Sequence, residues 1–183
     1  MFAIADPVKS SSKQAVERLK HAKKKVIMVT GDNGRTAETI AKEAGIYRVY
    51  AEMLPEDKLA LIKRLQSKGK KVAMVGDGIN DAPALAAANL GIAIGTGSDI
   101  AKEAADVNLL HGDLNSVVDA IEISKQTIRN IRQNLWFAFA YNFIAVPFAF
   151  MGWLEPWMAG TAMALSSVTV VGNSLRLKRS KKR

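Results

Sequence analysis

Met74-Val75-Gly76-Asp77-Gly78-Ile79-Asn80-Asp81-Ala82-Pro83-Ala84-Leu85 is the stretch that decides how this chain folds. The aliphatic run Lys71–Val75 that leads into it is short, uncharged after its lysine, and suited to a buried strand. It ends abruptly in Gly76-Asp77-Gly78, and Ala82–Ala88 behind that turn reads as a helix. A strand, a glycine-rich turn and a helix are the repeating step of a parallel α/β sheet.

The same step recurs on both sides. Upstream, Lys25–Thr30 is a strand that ends in Gly31-Asp32, and Arg35–Ala44 is a helix stopped by Gly45. Arg48–Ala51 is a short strand, and Pro55 opens a helix over Glu56–Lys68 with Gly69 as its stop. Downstream, Gly91–Ile94 is a strand, Asp99–Ala105 a helix capped by Ser98 or Asp99, and Val107–Leu110 a last strand. Leu114–Asn134 is a long amphipathic helix. The expected class is α/β with a mostly parallel sheet.

Charge separates the rest. The 183 residues carry +9 and no cysteine, so no disulfide framework and no cysteine metal site exist within the chain. Residues 1–134 hold 20 bases and 16 acids, residues 135–175 hold Glu155 alone, and residues 176–183 hold six bases. The excess is therefore a basic tail behind an apolar stretch, which speaks against a nucleic-acid partner and for a bilayer. Leu135–Leu154 is 20 residues without a charge, about 30 Å as a helix, the thickness of a bilayer core. Glu155-Pro156 breaks it, and the uncharged Trp157–Val171 follows, extendable to Leu177 if Arg176 and Lys178 snorkel. Trp136, Trp153 and Trp157 fall at the interfaces. Arg129, Arg132 and the basic tail put both ends of this chain in the cytosol. A buried helical hairpin in a soluble core is the alternative. Met1–Ile4 is too short for a signal-peptide core.

Ligands of open α/β sheets bind beyond the carboxyl ends of the strands. Two such ends are polar here: Thr30-Gly31-Asp32-Asn33, and Gly76 to Asp81. Asp77 and Asp81 can turn toward one point and suit a hard cation such as Mg²⁺. Thr30 offers a hydroxyl and an N–H to a phosphate oxygen, and Lys58 offers a point charge. Gathered around one phosphoryl group, these would stabilise its transfer electrostatically. A Gly-Asp after a strand is by itself an ordinary turn, and a lysine on a polar helix face is ordinarily solvated. The signal lies in their order.

Met28-Val29-Thr30-Gly31-Asp32-Asn33, Leu54-Pro55-Glu56-Asp57-Lys58 and the stretch from Met74 to Leu85 resemble the P-type ATPases, in particular their haloacid-dehalogenase-like phosphorylation domain. The resemblance extends through Gly91–Asp106 and covers essentially the whole chain. It implies a partial Rossmannoid phosphorylation domain over 1–112, a linking helix over 113–134, a transmembrane helical hairpin over 135–177 and a basic cytosolic tail over 178–183. It implies that Thr30, with Gly31 and Asp32, holds the phosphoryl group and that Lys58 neutralises it. Asp77 would bind Mg²⁺, with Asn80 and Asp81 ordering metal and phosphate, and ATP would be bound mainly outside this chain.

Tyr141-Asn142 in the first apolar segment, with Met163 and Ser167 in the second, resembles the Cu(I)-exporting heavy-metal subfamily. Cu(I) is soft and suits the Met163 thioether, and residues 163 and 167 share a helix face. These polar groups could equally join helices by hydrogen bonds. Pro147 is expected to kink its helix. Asp6 and Ser10–Ser12 match the segment upstream of the hinge in such pumps, without a catalytic role, and His21 and His111 read as surface residues.

The family's Asp-Lys-Thr-Gly-Thr motif is absent from the sequence. The expectation is a C-terminal part of a Cu(I)-exporting pump in the cell membrane, inactive alone, whose partners are Cu(I), the N-terminal remainder of the pump, the lipid bilayer and a copper chaperone. In the family's sheet the strand carrying the nucleophile lies between those ending at Thr30 and at Asp77, so two strand edges would lack their partner and the isolated chain would fold poorly. Two alternatives stand beside this: a non-enzymatic fragment that assembles with or regulates a full-length pump, and a membrane-anchored haloacid-dehalogenase phosphatase. The latter needs an Asp-x-Asp motif before Thr30, where only Asp6 lies.

Overall fold

Among the described residues five short parallel strands form two separate sheets, β1-β2 and β3-β4-β5. The computed structural model describes residues 8–77, 79–95, 99–110, 112–153 and 155–180. The order is α1 (Ser10–His21), β1 (Met28–Val29), α2 (Gly34–Ala44), β2 (Val49–Tyr50), α3 (Pro55–Ser67), β3 (Ala73–Gly76), a 3-10 turn (Ile79–Asp81), α4 (Ala82–Ala87), β4 (Leu90–Ile94), α5 (Asp99–Ala104), β5 (Val107–Leu109), α6 (Leu114–Phe150) and α7 (Pro156–Ser180). Two compact units result, Met1–Asp119 and Ala120–Arg183.

In the first unit the helices start and stop for local reasons. Asn33 caps α2 by accepting the Thr36 N–H at 2.9 Å, and Gly45 ends it with φ 76°, in the left-handed region. The Lys20 ammonium donates to the Gly45 carbonyl there and lies 4.2 Å over the Tyr47 ring. Pro55 starts α3, where Asp57 accepts the Leu54 N–H at 3.1 Å. Asp113 accepts the Asn115 N–H at 3.0 Å in front of α6, and that bond, with side-chain contacts from Asn115 and Ser11 and the charge of Lys9, holds its carboxyl below the usual carboxylate range against the opposing effect of burial.

The core of this unit lies where the helices cover β3 and β4. Leu61 and Ile62 of α3, Ala84 and Leu85 of α4, Ile92 and Ala93 of β4, and Val117 and Val118 at the start of α6 are all buried. A fully buried side chain such as Leu85 or Ile92 contributes about 1.5–3 kcal/mol. Ala73–Gly76 runs in register with Leu90–Ala93, and Ile92–Ile94 with Val107–Leu109. Met28-Val29 pairs only with Val49-Tyr50. The aliphatic run Lys25–Thr30 thus yields two strand residues, because β2 offers only two partners. Helix α1, to which the sequence reading assigned no element, is tied to α6 by Arg18, which donates to Asp119 at 2.7 Å and to Asn115 at 3.3 Å.

The second unit is a pair of helices whose polar side chains meet in a ladder. Asn173 of α7 donates to Asn130 at 2.7 Å and to Asn134 at 2.8 Å, and Asn134 donates to Ser174 at 3.0 Å. Further along, the Tyr141 hydroxyl meets Thr169 at 3.4 Å. Helix α6 ends at Phe150, because Gly152 turns the chain with φ 72°, so the helical part of the expected 20-residue span is Leu135–Phe150, about 24 Å. Among the described residues no helix is long and apolar enough to cross a membrane. Asp6, Gly78, Ser98, His111, Leu154 and Lys181–Arg183 lie outside the described residues, as do the side chains of Arg176 and Lys178.

Gly91 tests this packing. A Cβ there would stand 2.6 Å from the Leu85 carbonyl oxygen, where α4 closes on β4. Gly91→Ala should destabilise the first unit by about 1–3 kcal/mol, the cost of overpacking a rigid contact. Denaturant unfolding followed by fluorescence should show the shift, whereas Gly34→Ala, where a Cβ meets nothing within 4 Å, should not.

Candidate phosphoryl-transfer site

Three chain segments supply the candidate residues at the carboxyl ends of β1 and β3 and the first turn of α3. After β1, the Thr30 hydroxyl donates to the Asp32 carboxylate at 2.9 Å and accepts the Asp32 N–H at 3.2 Å. The segment after β2 folds back over this loop. Met53 N–H donates to the Thr30 carbonyl at 3.0 Å and Glu52 N–H to the Asp32 carbonyl at 2.9 Å. Glu52 takes φ 56° to do so, and its carboxylate accepts the Gly34 N–H at 3.2 Å. This strap delivers the start of α3, and so Lys58, from the Thr30 loop.

Lys58 meets the second segment directly. Its ammonium lies 2.7 Å from Asp81, and only 12% and 14% of the two side chains is exposed. Gly76 makes the seat: a Cβ there would stand 2.7 Å from the Asp81 carboxylate oxygen. Only glycine lets the carboxylate lie against the end of β3, so Gly76 is a spatial requirement as well as part of a turn. Asp77 and Asn80 are exposed.

The structure therefore brings Lys58 and Asp81 together, and Thr30 and Asp32 together. Asp81 is turned onto Lys58, the cation within reach, and its neighbour in the loop, Asp77, is exposed. Among the described residues no group of three or more acidic or histidine side chains is placed to hold a metal ion. Mg²⁺ needs less: one or two carboxylates, with water and phosphate oxygens completing its shell. The oxygen-only donor set of Asp77, Asn80 and Asp81 fits that demand.

The second candidate group falls in the other unit. Ser167 donates to the Met163 carbonyl one turn earlier in α7 at 3.0 Å, and Met163 is 74% exposed. Asn142 donates to the Ala138 carbonyl at 3.0 Å and is exposed. Tyr141 turns into the α6–α7 seam toward Thr169 instead. Of the four residues, Tyr141 joins the helices, while Asn142, Met163 and Ser167 are exposed. The strap residue Glu52 and the asparagine ladder went unnoticed in the sequence. Asn130 and Asn134, one helical turn apart, were the available signal for the ladder.

Comparison with known proteins bears on this geometry. Haloacid dehalogenase-like hydrolase family profiles match residues 1–89 and residues 58–121. Copper-exporting P-type ATPases of Bacillus subtilis and Staphylococcus epidermidis are each 59% identical over 181 residues, 99% of this chain and 23% of theirs. That of Staphylococcus aureus is 58% identical over 179 residues. The chain thus spans about a quarter of the length of these curated relatives. A crystal structure of a zinc-transporting PIB-type ATPase in its E2.Pi state is 40% identical, with TM-score 0.85 over 94% of this chain and 28% of that one. The catalytic domain of the CPx-ATPase CopB-B is 38% identical, with TM-score 0.59 over 66% of this chain and 49% of that one. With nearly its full length matched at such identity, this chain belongs to the heavy-metal P-type ATPases and carries their haloacid-dehalogenase-like α/β fold.

Proposed function

We propose that this chain is part of a Cu(I)-exporting P-type ATPase: the second half of its phosphorylation domain, over 1–112, a linking helix over 113–134, a membrane hairpin over 135–177 and a basic cytosolic tail over 178–183. The observation that carries the reading is the Lys58–Asp81 pair seated on Gly76, at the end of β3 beside the exposed Asp77. It stands at the place where an α/β sheet binds its ligand.

In the assembled pump the phosphoryl group of ATP passes to an aspartate in the Asp-Lys-Thr-Gly-Thr motif, which this chain lacks. Thr30 presents its hydroxyl to a phosphoryl oxygen after giving up Asp32, and Gly31 leaves the backbone open to the same group. Lys58 exchanges its contact with Asp81 for the phosphoryl charge. Asp77, with Asn80 and the released Asp81, would hold Mg²⁺, which supplies neutralisation of the developing charge. Each residue acts by position and electrostatics, since phosphoryl transfer asks for little covalent chemistry from the protein.

The second unit carries the membrane reading. Trp136, Phe139, Phe143, Phe150, Trp153 and Trp157 are all exposed by 64% or more. So large an aromatic surface is unusual in water and suits lipid or neighbouring helices. The pump would lie in the cell membrane with both ends of this chain in the cytosol. Met163 offers a soft sulfur for Cu(I) as substrate, Ser167 shares its helix face, and Asn142 is exposed in the same unit, where other helices would complete the site. A copper chaperone is the expected donor.

A second reading has its own support. β1 and β3 each pair with one strand and lie in different sheets, so a parallel strand could enter between them. The chain would then act by assembling with a pump segment that brings this strand, without activity of its own.

Mixing the chain with the N-terminal remainder of such a pump and measuring copper-stimulated ATP hydrolysis tests both readings. Wild type should restore turnover, and Asp77→Ala should lower it by about a hundredfold or more, the scale of losing one electrostatic contact to a reacting group. Assembly with no hydrolysis at any copper concentration would favour the second reading.

Cargo selectivity is separate. In the assembled pump Met163→Ala should weaken Cu(I) binding by about tenfold or more, read by competition with a Cu(I) chelator, and leave nucleotide affinity unchanged. Equal Cu(I) stoichiometry and affinity in the variant would remove Met163 from the site.

A further inference from the structure

We infer that the amino ends of the strands in the first unit form a lysine belt that binds an anionic lipid surface, an inference that rests on the membrane reading above. Within each sheet the strands run parallel, and the segments at their carboxyl ends meet through Lys58 and Asp81, which leaves the amino ends opposite the candidate site. Three segments far apart in sequence arrive there: Lys23-Lys24-Lys25 before β1, Arg48 before β2, and Lys68, Lys70 and Lys71 before β3. All seven side chains are exposed. Among the described residues none of them forms an ion pair. Asp106, before β5, places one carboxylate at this edge, where it accepts the Gly91 N–H at 2.8 Å, against the seven bases.

Local structure leaves these charges unused. Helices α1, α2 and α3 end at this edge, and bases complement helix carboxyl ends. Each end carries about half a negative charge, so three of them account for a small part of seven cations. The Gly45 carbonyl at the end of α2 is already served by Lys20, which is outside the belt.

The composition favours lipid over nucleic acid. Six of the seven are lysine, a flexible point charge, where planar recognition of a nucleic-acid phosphate or base calls on arginine. Stacking platforms for single strands need several aromatic faces, and among the described residues the belt segments bring one exposed ring, Tyr47, which carries Lys20 4.2 Å over one face. Clustered lysines near a bilayer bind anionic headgroups through the surface potential, without a pocket.

Because the chain has no cysteine, one introduced thiol reports on one place. Ser67→Cys keeps all seven bases and lies beside Lys68, and Ile100→Cys, 53% exposed after β4, serves as the control. The full chain is reconstituted into phosphatidylcholine vesicles with or without phosphatidylglycerol, and labelling by a water-soluble maleimide is timed. Phosphatidylglycerol should slow labelling at Ser67→Cys about fivefold or more and leave Ile100→Cys unchanged, and 1 M salt should restore the rate by screening. Adding Lys24→Glu, Lys25→Glu, Lys70→Glu and Lys71→Glu together should abolish the protection. Equal rates in the two lipids, or protection by an added oligonucleotide and not by phosphatidylglycerol, would overturn the inference. Failure to remain in phosphatidylcholine vesicles after alkaline washing would instead defeat the membrane reading. The belt would then still be read from labelling with phosphatidylglycerol vesicles added to the chain.

Discussion

The first unit is held in working order by the Lys58–Asp81 ion pair, closed at 2.7 Å over Gly76. The two sheets share no strand-to-strand hydrogen bonds. What connects them is α3, which leaves the β1-β2 side through Leu54 and packs on α4, which covers β3 and β4. Apolar packing of Leu61 and Ile62 brings the helices together without choosing their register. A part-buried ion pair does choose, because either charge alone would be left desolvated. The pair therefore sets where α3 stands and holds a cation and a carboxylate at the edge where a phosphoryl group would be handled.

The same pair explains why the site is made of exchangeable contacts. Thr30 bonds Asp32, and Lys58 bonds Asp81. Each group the chemistry would call on is satisfied by a neighbour of opposite character, so little is left unsatisfied in the first unit. A phosphoryl group and its cation could replace both contacts at once, since they bring one negative and one positive partner. Asp77 stands apart from this exchange because it is already in solvent.

The second unit solves a different problem. Its helices carry large apolar side chains outward and place their amides inward, where Asn130 is only 9% exposed. Apolar contacts do not fix how two such helices slide past one another. The ladder from Asn130 and Asn134 to Asn173, and from Tyr141 to Thr169, does so through directed hydrogen bonds. Tyr141 is therefore a member of the seam, and its neighbour Asn142, one step round the helix, faces outward.

Nearly every element of the first unit was legible from short-range rules. Asn33 and Gly45 bound α2, Pro55 opens α3, and glycine follows β3, so these boundaries fall within a residue or two of expectation. The Thr30, Lys58 and Gly76–Asp81 motifs, and the family they point to, were likewise present in residue order alone. Helix α1 escaped notice because its hold on the rest comes from Arg18 reaching Asp119, 101 residues away. The sequence by itself determined which chemical groups this protein owns and which elements carry them, since caps, turns and alternating apolar runs act over a few residues. Tertiary structure alone decided that Asp81 faces Lys58, that β1 shortens to two residues, and that the first apolar helix stops at Phe150. Those outcomes depend on what stands opposite each group in space, and no local pattern records that.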